Sequence, residues 1–347
     1  MTETDAVIVG AGPAGLFQVF QLGLQEIRSH VIDALPHPGG QCVELYADKP
    51  IYDIPGIAVC TGQELSTRLM EQAAPFQPQY HWNQLVSQVE RQPDQRLRVE
   101  TSAGQQFLCK TLFIAAGVGA FVPKSVKAPG MEDLHAGQIQ YSVNWNRPWQ
   151  GRRVWIIGDT EAALQSAIGL AHLPLEQRPA SICLMHRREV FAATETTVST
   201  LRQLQERGLV QFVVGQLSQV ESSDGHLTGM QVLDAQGQLQ RMPLDDLIIQ
   251  LGLSPKLGPI ADWGLAMERK QLAVEPASCQ TSVPGIFAVG DINTYPGKRK
   301  LIVCAFHECV MAAFAAVPLV FAGRQPMLQY TTSSPHLQEL LGLGKRS

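Results

Sequence analysis

Charge of either sign is scarce: 27 Lys and Arg against 31 Asp and Glu leave a formal net charge of −4 over 347 residues. So weak a field excludes nucleic acid or anionic lipid as a partner gathered by overall charge, and any anionic partner has to be held by a local patch. Long apolar runs are missing too. The longest, Val310 to Gly323, has about 14 residues and contains Pro318, against about 20 for a membrane span, so no membrane contact is expected. The opening Met1-Thr2-Glu3-Thr4-Asp5 is acidic and lacks the basic region and cleavage site of a secretory signal. The seven cysteines, at 42, 60, 109, 183, 279, 304 and 309, are odd in number and scattered. That suits reduced thiols in a cytoplasmic protein rather than a disulfide framework. G-x-S-x-G, H-E-x-x-H and a P-loop lysine do not occur, which leaves hydrolase and kinase readings without support. Cys304, His307 and Cys309 lie within one helical stretch and cannot all face one tetrahedral ion, so no metal is expected.

What is present is a folded chain, 45% hydrophobic and 17% charged, of a length suited to about two domains. Ala6-Val7-Ile8-Val9 is a short apolar strand, Leu16 to Leu24 has the spacing of a buried helix, and His30-Val31-Ile32-Asp33 reads as the next parallel strand. Between the first strand and the helix stands Gly10-Ala11-Gly12-Pro13-Ala14-Gly15, a G-x-G-x-x-G turn. In that setting Gly10 permits the tight turn, Gly12 lets backbone approach a pyrophosphate, and Gly15 lets helix and strand pack closely. Asp33 is placed to accept hydrogen bonds from a ribose diol.

The same order of strand, turn, helix and strand returns at Val154 to Ile157, Glu161 to Ala171 and Ile182 to Met185, which gives a second mononucleotide-binding unit. Its turn, Gly158-Asp159-Thr160-Glu161-Ala162-Ala163, keeps the first glycine and, at Ala163, the last small residue of G-x-G-x-x-A. Thr160 replaces the second glycine and puts a Cβ where a pyrophosphate must come close, and Asp159 adds a negative charge beside it. The second strand runs into His186-Arg187-Arg188, with no acid for a ribose 2′-hydroxyl. Two guanidinium forks there suit a 2′-phosphate, which favours NADP over NAD; the alternative is an exposed basic strand end.

Thr281-Ser282-Val283-Pro284-Gly285-Ile286-Phe287-Ala288-Val289-Gly290-Asp291 resembles the late motif of flavoproteins with two dinucleotide-binding domains. In that motif the glycine and aspartate approach the ribityl chain of FAD. Thr111 to Gly117 resembles their middle motif, where the chain crosses to the second domain. Thioredoxin reductases carry C-x-x-C in the nucleotide domain and glutathione-reductase-like enzymes carry C-x4-C after the first unit. The equivalent stretches here, Gln140 to Asn144 and Gly39 to Tyr46, hold no such pair. Without a dithiol beside the flavin there is no route to a disulfide substrate.

Gly39-Gly40-Gln41, Lys49 to Gly56, Asp246 to Gly252, Trp263-Gly264-Leu265 and Tyr295-Pro296-Gly297-Lys298 together resemble the thioredoxin-reductase-like ferredoxin-NADP(+) reductases, over essentially the whole chain. The resemblance implies an α/β fold of two Rossmann-like, three-layer ββα domains, and a homodimer with one FAD per subunit. It also implies electron transfer between NADP(H) and ferredoxin or flavodoxin. The FAD domain is expected at 1–117 and 281–347, enclosing an NADP domain at 118–280. Carried over by residue, Gln41 approaches the phosphates, Tyr46 and Tyr52 lie beside the flavin with Tyr52 as a stacking ring, and Val86 meets the adenine through its backbone. Phe121 lies near the crossover, Thr332 bonds the ring edge, and the C-terminal segment with Tyr330 covers the other face.

Hydride transfer needs stacked rings, so Tyr52 or Tyr330 has to move before nicotinamide can stack. The helix opening at Leu301 aims its amides at the flavin, and Lys298, Arg299 and Lys300 form a basic cluster suited to an acidic carrier. Two rivals stay open: a flavoprotein of this scaffold that uses another electron donor, and a flavin-binding sensor that does not turn over.

Overall fold

Strand Thr2–Val9 divides its side chains between two faces: Ala6 and Ile8 join one buried cluster, Val7 and Val9 another. A strand apolar on both faces belongs inside a covered sheet. In the computed structural model, which describes residues 1–135 and 137–343, it pairs in parallel with Ser29–Ile32 on one side and Gln106–Ile114 on the other. Gln79–His81 extends the first side. The second side forks: Ile286–Ala288 pairs in parallel with Leu112 to Ile114, while Leu97–Thr101 and Val86–Arg91 continue as an antiparallel meander. Helices Pro13–Leu24, Gly62–Ala73 and Ile302–Val320 pack with the Ala6 and Ile8 face. Ile260, Leu265 and Leu272 pack with the Val7 and Val9 face. Each such fully buried side chain is worth about 2 kcal/mol over exposure.

The chain divides into two compact units, Met1–Phe121 with Pro255–Ser347, and Val122–Ser254. The second crossing therefore falls 26 residues before the expected boundary at 280 (280 − 254). The reason is packing: Ile260, Leu265 and Leu272 complete the core of the first unit, so the segment that carries them belongs there.

The second unit has its own seven-stranded sheet, in the order Ile139–Gln140, Asp246–Ile249, Arg153–Ile157, Ser181–His186, Gln211–Ser223, His226–Asp234, Leu239–Pro243. The first five are parallel and the last two antiparallel. Helices Glu161–His172 and Glu195–Glu206 cover one face through Leu164, Ala167, Leu201 and Leu204. Asp246, 1% exposed, anchors the second strand of that order by pairing with Arg147 at 2.7 Å and with Arg152.

Helix Ile302–Val320, 19 residues long, is apolar enough to cross a membrane by length and composition, a feature hidden by counting uninterrupted runs because His307 and Glu308 break them. Here it is a core helix, with Ala312, Ala313, Ala316 and Val317 buried beside Leu16, Val19 and Phe113.

Candidate functional site

Ligands of open α/β sheets bind beyond the carboxyl ends of the strands. A cleft of about 1150 Å³ opens there in the first unit, lined by Gly10, Gly12, Pro13, Ala14, Asp33, Gln41, Tyr46, Val86, Gly290 and Asp291. Ten of the sequence-expected residues thus meet in one place. The glycines divide their work as the motif requires. A Cβ on Gly15 would fall 1.8 Å from the Gly10 carbonyl oxygen, whereas one on Gly12 would meet only the Gly40 Cα, at 4.0 Å. Gly15 is a packing residue and Gly12 leaves open space. Helix Pro13–Leu24 has no side-chain cap, and Pro13 at its start carries no N–H. The first-turn amides of Ala14 and Gly15 therefore have no side-chain cap to satisfy them.

Asp33 does more than stand at a strand end. It accepts from the amides of Ala11 and, at 2.8 Å, Leu35, which ties the glycine turn to the second strand. Burial pushes its carboxyl above the ordinary range, against the pull of those two backbone bonds. A carboxylate has further lone pairs, so a ribose hydroxyl can still bind it. Gln41 lies over Gly117, where a Cβ would be 2.9 Å from its Nε2. The Tyr46 hydroxyl is 3.3 Å from Cys42 Sγ. Burial raises both groups, so Cys42 is a thiol rather than a thiolate.

Tyr52 lies outside this cleft. It is 71% exposed and lines an adjoining open hollow with Lys49, Asp53 and Leu301; Tyr46, Lys300 and Ile302 border both. Phe121 belongs to strand Ala120–Pro123, but its side chain lies outside the described residues. Tyr330 and Thr332 are exposed and line neither space. The C-terminal segment is held at the other end of helix Pro13–Leu24, where Glu26 pairs with Arg324 at 2.8 Å and His336 at 3.4 Å. Twelve helical residues span about 18 Å, which keeps that anchorage away from the cleft at the helix start.

Leu35 and Gln84, on ordinary loop positions, are among the lining residues missed from sequence, whereas Ile302 and Ala305 lie at the uncapped start of helix Ile302–Val320, the helix opening that the sequence pointed to. Lys298 corrects the basic-cluster reading. Its side chain is 6% exposed, its Nζ donates to the Gly290 carbonyl at 2.9 Å, and it pairs with Glu308. The buried carboxylate draws the ammonium inward, leaving Arg299 and Lys300 on the surface side.

In the second unit, Gly158, Thr160 and Ala163 form the turn and helix start, His186 ends the adjacent strand, and Arg187 and Arg188 follow it. A Cβ on Gly158 would meet the Gln250 carbonyl oxygen at 2.3 Å. Thr160 does not simply protrude. Its hydroxyl donates to the Gln250 carbonyl at 2.9 Å and accepts from the Ala163 amide at 3.3 Å, capping helix Glu161–His172. The Glu161 amide donates to the Ala192 carbonyl at 3.1 Å. First-turn amides that the first unit leaves open are here satisfied from within. Asp159 sits 3.6 Å from His186, which also contacts the Arg188 carbonyl, while Arg187 and Arg188 are exposed.

Residues 4–309 match the family model described as pyridine nucleotide-disulphide oxidoreductase. The chain belongs to that family, and its fold is the two-domain, thioredoxin-reductase-like α/β fold. Within the family it belongs with the ferredoxin-NADP reductases. It is 54% identical over 343 residues to the ferredoxin-NADP reductase of Acidovorax sp. strain JS42, covering 98% of this chain and 95% of the relative. It is 52% identical over 341 residues to that of Albidiferax ferrireducens, covering 98% and 96%. A thioredoxin reductase from Gloeobacter violaceus shares the fold with a TM-score of 0.57 at 21% identity, covering 95% of this chain and 98% of that one. A bacillithiol disulfide reductase from Staphylococcus aureus does so with a TM-score of 0.56 at 14% identity, covering 90% and 98%.

Proposed function

We propose that the chain is an FAD-dependent oxidoreductase that moves electrons between NADPH and ferredoxin or flavodoxin without a dithiol relay. The observation that carries this is one cleft in which the uncapped glycine turn and the Gly290-Asp291 motif meet, with Cys42 the one cysteine lining it. Its thiol is raised by burial and bonded to Tyr46, which argues against a disulfide substrate. The site fits FAD: the space left by Gly12 and the amides of Ala14 and Gly15 receive the pyrophosphate, Asp33 a ribose hydroxyl, and Asp291 the ribityl chain. Bound there, FAD supplies two-electron exchange with a nicotinamide and one-electron exchange with a carrier. Tyr46 and the start of helix Ile302–Val320 orient its ring end, and Tyr52, exposed on the open side, admits or excludes a second ring. Arg187 and Arg188 receive the 2′-phosphate of NADPH. The names of the relatives above support ferredoxin as the carrier, with Arg299, Lys300 and Lys49 offering the positive charge it would meet.

A cytoplasmic setting accords with seven free cysteines. Exposed Met327, Leu328 and Tyr330 support a homodimer as their cover. If Tyr330 and Thr332 serve a flavin, their anchorage away from this chain's cleft assigns them to the second copy's. One observation favours the rival with another electron donor: Thr160 and Ala192 already occupy first-turn amides in the second unit. Anaerobic addition of NADPH decides between them, since a normal donor reduces the flavin in stoichiometric amount and a lost one leaves it oxidised.

A further inference from the structure

We infer that Glu308 and Lys298 are positioning residues for the flavin site, a neutral ion pair that grips one cleft-lining residue, Gly290, by both ends of its backbone. Glu308 Oε2 accepts from the Gly290 amide at 2.7 Å, and Lys298 Nζ donates to the Gly290 carbonyl at 2.9 Å. The two side chains pair with each other at 2% and 6% exposure. Asn293 Nδ2 and the Tyr295 hydroxyl complete the carboxylate's shell at 3.0 and 2.8 Å. Gly290 itself has φ +81°, and a Cβ there would press on the Ala14 Cβ at 3.2 Å. Its backbone thus sits tight against the helix start that faces the pyrophosphate, and Asp291 follows directly.

Two opposite charges taken out of water gain little stability over an apolar pair of the same volume. What this pair does supply is a fixed backbone position: donor and acceptor of Gly290 are both held, so Gly290 and Asp291 cannot rotate away from the cleft. It also cancels its own field one peptide from the flavin site. Removing either partner therefore has two effects, a loosened motif and a naked charge. An uncompensated Lys298 raises the potential of a nearby flavin, and an uncompensated Glu308 lowers it.

This inference rests on the reading that the cleft holds FAD. The test is FAD titration of the apoprotein together with the midpoint potential of the reconstituted holoenzyme, for the parent, Glu308→Gln, Lys298→Met and Lys298→Arg. We expect Glu308→Gln and Lys298→Met each to weaken FAD about tenfold or more, with potentials shifted in opposite directions. Lys298→Arg, which keeps the charge, stays near the parent in both. Shifts in the same direction, or parent-like affinity and potential in Lys298→Met, overturn the inference. If Glu308→Gln does not fold, the comparison of Lys298→Met with Lys298→Arg decides alone. A parent that binds no FAD at all contradicts the function proposed above instead.

Discussion

At the scale of single residues, the two glycines of the first turn separate folding from binding. Gly15→Ala places a methyl on the Gly10 carbonyl oxygen, at 1.8 Å, and should destabilise the protein by about 1–3 kcal/mol in denaturant titrations. Gly12→Ala has open space before it, so stability should change by less than about 0.5 kcal/mol while FAD affinity falls about tenfold. Equal stability losses in the two variants would show that the turn is not shaped for a ligand. The spacing of the motif picked out both positions. It did not reveal that Asp33 ties down the Ala11 amide, because a hydrogen bond across a turn depends on how the second strand is registered. Glu308 and Lys298 left a fainter sign: an acid inside a mostly apolar helix, and a lysine following Tyr295-Pro296-Gly297. Only their meeting in space gives them a role.

At the scale of elements, the two mononucleotide units differ at the start of one helix each. Helix Pro13–Leu24 is uncapped, and helix Glu161–His172 is capped by Thr160. Thr160→Gly frees the Ala163 amide for a charge-assisted bond, so NADPH should bind about tenfold more tightly. The lost cap should cost less than about 1 kcal/mol. Unchanged NADPH affinity, measured by fluorescence titration, would mean that phosphate does not seat on this turn. Removing both Arg187 and Arg188 should weaken NADPH about 100-fold and leave NADH unaffected; equal losses would contradict 2′-phosphate recognition. The C-terminal segment offers a pH-dependent contrast. Its hydrogen bond from Arg324 lowers the Glu26 pKa below 4.5 in the folded state. The tether is therefore intact above that ordinary value and is lost as pH falls through the lowered one. Glu26→Gln should reproduce the loss at neutral pH, with tryptic cleavage after Arg324 accelerated about two- to fivefold. Parent-like cleavage would show that contacts other than the Glu26 tether, such as the buried Leu337, hold the segment.

For the whole molecule, most of the architecture was readable because strand-turn-helix-strand order and period-two burial are local signals. Both parallel cores follow from them, as does the return of residues near Thr281 to the first sheet. The boundary near 254 was not readable, because Ile260, Leu265 and Leu272 declare their domain only through the cluster they fill. The placement of Tyr330 and Thr332 was hidden for a related reason: the Glu26 tether is a contact distant in sequence. The function proposed above is a flavin held in the first unit and reduced directly by NADPH, with no sulfur pair between donor and carrier. The most direct test is an anaerobic stopped-flow record of the purified protein's visible absorbance on mixing with stoichiometric NADPH. Rapid loss of the flavin band, restored by oxidised ferredoxin, is the predicted result; a flavin that stays oxidised under excess NADPH would contradict the account.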